Sequence, residues 1–250
     1  MKKGSILREK QTERNHLTSS WVEVPLPGSS QTINSVMRIV LFGPPGVGKG
    51  SQASFLSERE GVRHISTGVL LRQAIRSKSE LGMKAKGYVE TGRLVPGVLV
   101  RALAEDSIRE NDFDRFVLDG YPRTIEQAEW LASFLEEAGV ALDSVLSLQV
   151  PAEVIVDRLS KRRVNKQTGE NYHLDFKPPP DDIPKGLIIQ RKDDMPDAIK
   201  HRLDIYDQET HPVQAWYRDR GMLQEIDGTG SFEEVYRRIR DAVRESSSAS

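Results

Sequence analysis

The chain has 250 residues and not one cysteine. Disulfides and cysteine-ligated zinc are thereby excluded, and a reducing compartment such as the cytoplasm is compatible with the composition. Long apolar runs are also missing. Nothing approaches the roughly 18 residues of a membrane span, and no continuous apolar stretch near the start resembles the core of a secretory signal. A charge excess of either sign is absent too. Lys and Arg total 36 against 37 Asp and Glu, for a net charge of -1 and a pI of about 6.6. Nothing at this level points to nucleic acid or to a membrane surface as a partner. No internal repeat is present. What remains is 37% hydrophobic and 29% charged, which reads as a soluble globular chain of one large domain, or a core with small inserts.

The first 36 residues differ from the rest. Lys2, Lys3, Arg8, Lys10 and Arg14 precede Pro25, Pro27, Gly28, Ser29 and Ser30. A disordered tail is expected. Organellar targeting is the alternative, and Glu9, Glu13 and Glu23 weaken it because transit peptides avoid acids. Residues 244–250, ending in Ser246-Ser247-Ser248-Ala249-Ser250, are expected to form a fraying polar tail.

Apolar runs at Met37–Phe42, Phe116–Leu118 and Ser144–Val150 suit buried parallel strands, and Met222–Ile226 suits a last strand. Amphipathic stretches at Gln127–Glu137, Ala152–Arg162, Asp197–Arg220 and Phe232–Val243 alternate with them. That order predicts an α/β fold, a parallel sheet with helices on both faces. Two segments break the rhythm. One, from about Ser66 to Pro96, is helical in pattern. The other, Val164 to Pro196, is polar and rich in Pro and Gly, with short strands expected around Tyr172-His173-Leu174. Excursions of this length are candidates for moving parts.

The string Gly43-Pro44-Pro45-Gly46-Val47-Gly48-Lys49-Gly50-Ser51 follows the first strand and precedes a helix start. Backbone N–H groups and the helix dipole make such a turn an anion site. Lys49 adds a full charge that can follow a phosphate. The motif departs from a P-loop of the common form, because Gly50 stands where a Ser or Thr would ligate magnesium, and the hydroxyl comes one residue late at Ser51. A second string, Asp119-Gly120-Tyr121-Pro122-Arg123-Thr124-Ile125-Glu126-Gln127, puts an acid and an arginine at the end of a predicted strand. That edge of a parallel sheet is where ligands bind. Asp119 can organise magnesium or its waters, and Arg123 can fork onto phosphate oxygens.

Together these strings resemble the adenylate kinases, in their long-lid form, within the nucleoside monophosphate kinase family. Gly43 to Ser51 follows that family's own loop variant, and the Asp-Gly-Tyr-Pro-Arg-x-x-x-Gln string matches its signature. The resemblance runs from Met37 to about Val243. It implies a P-loop nucleoside triphosphate hydrolase-like core over 37–65, 97–163 and 197–243, a helical AMP-binding insert over 66–96 and a lid over 164–196. It implies reversible phosphoryl transfer from Mg-ATP to AMP giving two ADP, usually by a monomer.

The resemblance also assigns residues. The loop from Gly43 through Pro45, Gly46, Val47, Gly48, Lys49, Gly50 and Ser51 would hold ATP phosphates. Arg158 would stack on the ATP adenine and Arg162 reach its phosphates. Thr67, Arg72, Val95, Gly120, Arg123 and Gln127 would contact AMP, with Gln127 reading the adenine edge. Arg191 and Arg202 would close over the transferring group. Magnesium would arrive with ATP and meet Asp119 through water, with no direct protein ligand. Some relatives hold the lid with four zinc ligands, mostly cysteines; this lid has none, so no structural zinc is expected. His64, His173 and His201 are expected to be structural or at the surface.

Three departures stand out. Ser66-Thr67-Gly68-Val69 has Val where the family usually has Asp near the phosphates. Val95-Pro96-Gly97-Val98 has Gly where an Asp would cap the next helix. Asp181-Asp182-Ile183-Pro184-Lys185-Gly186 replaces the usual Val-Thr-Gly-Glu turn. Alternatives are a related kinase using GTP, CMP or UMP, and a weakly active nucleotide-binding protein, which Val69 keeps open.

Overall fold

A computed structural model describes residues 37–248, and the tail expected over residues 1–36 lies outside them. Its centre is a parallel sheet of β1 (Arg38–Phe42), β2 (Arg63–Ser66), β3 (Phe116–Asp119), β4 (Ser144–Gln149) and β8 (Leu223–Asp227) in the order β2-β3-β1-β4-β8. After Arg38, β1 is a continuous apolar run, Ile39 to Phe42, because both its faces are covered. Val40 and Phe42 join Phe116, Leu118 and Val145 on one face. There they meet α4 (Gly97–Arg109), α5 (Ile125–Glu137) and α8 (His211–Arg218) through Ala104, Ile108, Leu131 and Val213. Ile39 and Leu41 join Val117, Leu146 and Leu148 on the other face. Ala53 and Leu56 of α1 (Lys49–Glu60) and Ile239 and Val243 of α9 (Phe232–Ser248) cover them. Each fully buried aliphatic side chain of this kind is worth about 1.5–3 kcal/mol.

The register decides what lies at the sheet's edge. Leu41 pairs with Asp119, and Asp119 pairs with Ser66 on its other side. The carboxylate is thereby set beside the loop that leaves β1.

Two excursions leave this core. α2 (Thr67–Arg76) and α3 (Glu80–Thr91) form a hairpin after β2, with Ser79 capping α3 by accepting the Gly82 N–H at 3.1 Å. After α6 (Ala152–Lys161), a small antiparallel sheet forms from β5 (Arg162–Asn165), β6 (Asn171–His173) and β7 (Ile188–Ile189), in the order β6-β5-β7. The chain returns to the core through α7 (Pro196–Ile205).

The structure corrects four expectations. β2 is a fifth strand; only Ile65 and Ser66 of its four residues are buried, so it has no apolar run to announce it. The helix expected over 197–220 is two helices, α7 and α8, joined by a π-helical turn at Tyr206–Thr210. The expected polar tail after Val243 is helical as far as Ser248, where α9 ends, and residues 249–250 lie outside the described ones. Ser246 turns inward there, its Oγ 2.8 Å from Ser144 Oγ and 2.7 Å from Gln224 Nε2. Finally, Gly97 is the first residue of α4 and Pro96 occupies the cap position.

At the π turn, buried Ser147 donates to Gln214 Oε1 at 2.9 Å and accepts from Gln149 Nε2 at 3.0 Å, while Gln214 Nε2 donates to the Tyr206 hydroxyl. These bonds satisfy polar groups that burial would otherwise leave costly. No helix among the described residues is long and apolar enough to cross a membrane.

Candidate active site

The loop after β1 opens into a cavity of about 840 Å³. Its glycines are needed for close approach. A Cβ on Gly43 would lie 2.7 Å from the Leu148 backbone oxygen, and one on Gly46 2.7 Å from Leu159 Cγ, both at positive φ. Pro45, Val47, Gly48, Gly50 and Ser51 line the same wall. Lys49 Nζ donates to the carbonyls of Gly43 at 2.6 Å and Pro44 at 3.0 Å. Burial drives its pKa down to about 8, helped by Arg123, Arg202 and Arg162 and opposed by Asp119.

Asp119 stands opposite. Its Oδ2 accepts from Ser66 Oγ at 3.1 Å and lies 3.6 Å from His64 Nε2. Burial alone would raise this carboxyl, but His64, Lys49 and Ser66 outweigh it and hold the pKa at about 2. His64, expected to be structural or at the surface, thus belongs to the cavity wall. Val69 lines the cavity as well.

A smaller cavity of about 80 Å³ adjoins the α2–α3 hairpin. Thr67, Val95 and Gln127 line it. Thr67 Oγ1 donates to the Gly120 carbonyl at 2.9 Å, and Arg123 Nε donates to the same oxygen at 2.8 Å. Arg72, Arg123, Arg191 and Arg202 line both cavities. Burial lowers the Arg72 pKa to about 9, and the charge of Arg191 lowers it further. Burial likewise lowers Arg202 to about 10, against the pull of Asp193. Guanidiniums crowded this closely in a poorly hydrated site favour a polyanion.

Arg158 and Arg162 line the large cavity only. Arg158 Nη1 donates to the Val47 carbonyl at 2.8 Å, tying α6 to the loop. Arg162 forks onto Asp194, with Nε at 2.7 Å from Oδ2 and Nη2 bonded to Oδ1. Arg191 forks onto Asp193 in the same way, with Nε at 2.8 Å from Oδ1. Arg202 Nη1 reaches both acids, 3.0 Å from Asp193 Oδ2 and 3.3 Å from Asp194 Oδ1.

Asp193 and Asp194, which pair with the arginines of this site, are what sequence reasoning missed. They follow Arg191 closely, but nothing local in the string marks them as buried. All the candidate residues named from the sequence therefore fall on one of two adjoining cavities. The geometry adds the two carboxylates that hold three of the arginines in place.

A family model described as adenylate kinase matches residues 41–222. Among curated relatives, the adenylate kinase of Salinibacter ruber (strain DSM 13855 / M31) is 54% identical over 207 residues, which is 83% of this chain and 98% of the relative. The adenylate kinase of Chloroherpeton thalassium (strain ATCC 35110 / GB-78) is 46% identical over 210 residues, covering 81% of this chain and 96% of that one. That of Carboxydothermus hydrogenoformans (strain ATCC BAA-161 / DSM 6008 / Z-2901) is 43% identical over 213 residues, covering 83% and 100%. The matched residues 41–222 take in the loop, both excursions and the arginines between them, and relatives align over nearly their whole lengths; this chain belongs to the adenylate kinase family.

Proposed function

We propose that this protein transfers the γ-phosphoryl group of Mg-ATP to AMP, reversibly, giving two ADP. One observation carries the reading: Arg72, Arg123, Arg191 and Arg202 line both cavities at once. A phosphate entering from the large side and one entering from the small side meet the same four cations. The large cavity takes the donor and the small one the acceptor.

The chemistry asked of the protein is alignment and charge cancellation. An oxygen of the acceptor's α-phosphate attacks the γ-phosphorus, and the bond from that phosphorus to the β,γ-bridging oxygen breaks. Lys49 exchanges its two carbonyl partners for phosphate oxygens. Arg162, Arg191 and Arg202 are held nearby by Asp193 and Asp194 and meet the equatorial oxygens that carry the developing charge.

Asp119 and Ser51 suit a magnesium ion brought by the nucleotide. Among the described residues no group of three or more His, Asp or Glu could hold a metal unaided. One buried ionised carboxylate, with the Ser51 hydroxyl on the same cavity, would fit an ion whose other oxygens come from phosphates and water. When bound, that ion neutralises phosphate charge and orients the phosphates. The Val69 side chain offers no polar atom, so Asp119 would be the carboxylate left to hold the ion's waters. The segment 164–196 carries no cysteine, and no structural zinc is invoked. Action as a monomer is part of this proposal.

The test is ADP formation by the purified protein with Mg-ATP and AMP, beside ATP alone and ATP with CMP or UMP. ADP should appear with AMP only. Arg123→Ala should lower the rate by roughly 10²–10³-fold, the scale for losing one transition-state donor. Equal turnover of CMP or UMP, or a rate indifferent to Arg123, would overturn the reading.

A further inference from the structure

Gln127 is 3% exposed, and its two amide atoms face different neighbours. Oε1 accepts the Arg123 backbone N–H at 2.8 Å, which settles which end of the amide is oxygen. The other end points toward the start of α4. A Cβ placed on Gly97 would stand 3.5 Å from Gln127 Nε2, 3.3 Å from Trp130 Cζ3 and 3.5 Å from Trp130 Cη2. The indole and the amide both border the position that a Cβ at residue 97 would take.

Trp130 follows Gln127 by three residues on α5, so the two lie on one helix face. α4 secures the ring from a second point. The Arg101 guanidinium sits 5.0 Å from the indole centroid, and Arg101 Nε donates to buried Glu105 at 2.6 Å. The indole is thus set between the first residue of α4 and an ion pair one turn further along it. The Arg123 N–H holds the oxygen end of the Gln127 amide, and the indole stands with the nitrogen end at the start of α4.

The geometry points to Trp130 as a positioning residue: seated against Gly97 at the start of α4, it holds the Gln127 carboxamide with its N–H₂ as the donor offered to the acceptor base. The inference rests on the proposed role of Gln127 in recognising that base. Its consequence is chemical selectivity. A fixed N–H₂ matches a purine with an unprotonated ring nitrogen at position 1, as in adenine. It opposes one that carries a hydrogen there, as in hypoxanthine, because two donors would face each other. The remaining lone pair of Oε1 can accept from adenine's exocyclic amino group. Gly97 also gains a reason. An Asp at this first helical position would suit the helix dipole, yet its Cβ would stand 3.3 Å from the ring, close enough to press on it, and its carboxylate would extend toward the ring and the amide.

The experiment uses full-length protein labelled with ¹⁵N at the glutamine side-chain amides. The Gln127 signal is identified by its loss in Gln127→Ala. Trp130→Ala should shift or broaden that signal in the free protein. It should raise the AMP KM about 5-fold or more with kcat within about 2-fold, and lower the preference for AMP over IMP. Trp130→Phe should recover most of both. Gly97→Asp should leave melting temperature equal or higher, reproduce the KM rise, and add little on top of Trp130→Ala.

An unmoved Gln127 signal in folded Trp130→Ala, unchanged selectivity, or full additivity of the two variants would overturn the inference. Should Trp130→Ala fail to fold, Trp130→Phe and Gly97→Asp carry the same readouts. If Gln127→Ala leaves AMP KM and selectivity untouched while the signal still moves in Trp130→Ala, the base-reading role falls and the positioning contact stands.

Discussion

Lys49 must be charged to hold phosphate, yet its surroundings press it toward neutrality. Burial first, then three arginines, bring its pKa to about 8, with Asp119 pulling the other way. Between about pH 8 and 10.5 the unfolded chain binds this proton and the folded chain does not, so this group adds stability as pH rises through that window. Donor capture has the opposite slope. The kcat/KM for Mg-ATP should fall as pH rises through about 8, because that ratio reports the free enzyme. The kcat should fall at higher pH, since bound phosphates raise the lysine's pKa again. A kcat/KM profile flat from about pH 7 to 9.5 would contradict the assignment. At this scale the sequence is most legible where function is written contiguously. The loop from Gly43 to Ser51 and the run from Asp119 to Gln127 each name their chemistry in one string. Asp193 and Asp194 do not, because a carboxylate buried against arginines is spelled like one in water. His64 is similar, since only strand pairing brings β2 alongside Asp119.

The α2–α3 hairpin shows what an element asks of its sequence. A Cβ on Gly82 would lie 2.1 Å from the Ala74 carbonyl oxygen and 2.2 Å from its carbon, both of which belong to α2. The two helices meet backbone to backbone, and no rotamer relieves the overlap. Gly82→Ala should cost about 1–3 kcal/mol in urea unfolding and raise the AMP KM, because Thr67 and Arg72 ride on α2. Unchanged stability would mean that the helices can part freely. Elements were readable where burial is two-sided, as in β1 and β4, since both faces write the same apolar letters. β2 was not, with two buried residues. The π turn was not either: its extra residue shifts the helical phase without breaking it, and only Pro212 just after it marks a new start. The end of α9 misled because serines read as solvent-seeking, whereas Ser246 finds hydroxyl and amide partners inside.

Across the whole molecule, the small sheet is joined to the core at two points, and each carries an arginine. Arg162 caps α6 and begins β5; Arg191 leaves β7 toward α7. Their carboxylate partners are adjacent residues, and the Asp194 side chain is fully buried. Asp194→Ala would leave Arg162 without its forked partner and Arg202 with one acid instead of two. Breaking a buried pair in this way costs about 3–5 kcal/mol, so chemical denaturation should show a loss of that order and kcat should fall with it. Asp181→Ala, at an exposed turn, should stay within about 0.5 kcal/mol of the parent. The contrast has a practical side. Because Arg162 and Arg191 are fixed at the seams by Asp194 and Asp193, the exposed turn at Asp181 and Asp182 carries none of their placement. That turn is where the chain can be cut, lengthened or given a foreign peptide, and an enzyme so rebuilt would still present the same guanidiniums to its phosphates.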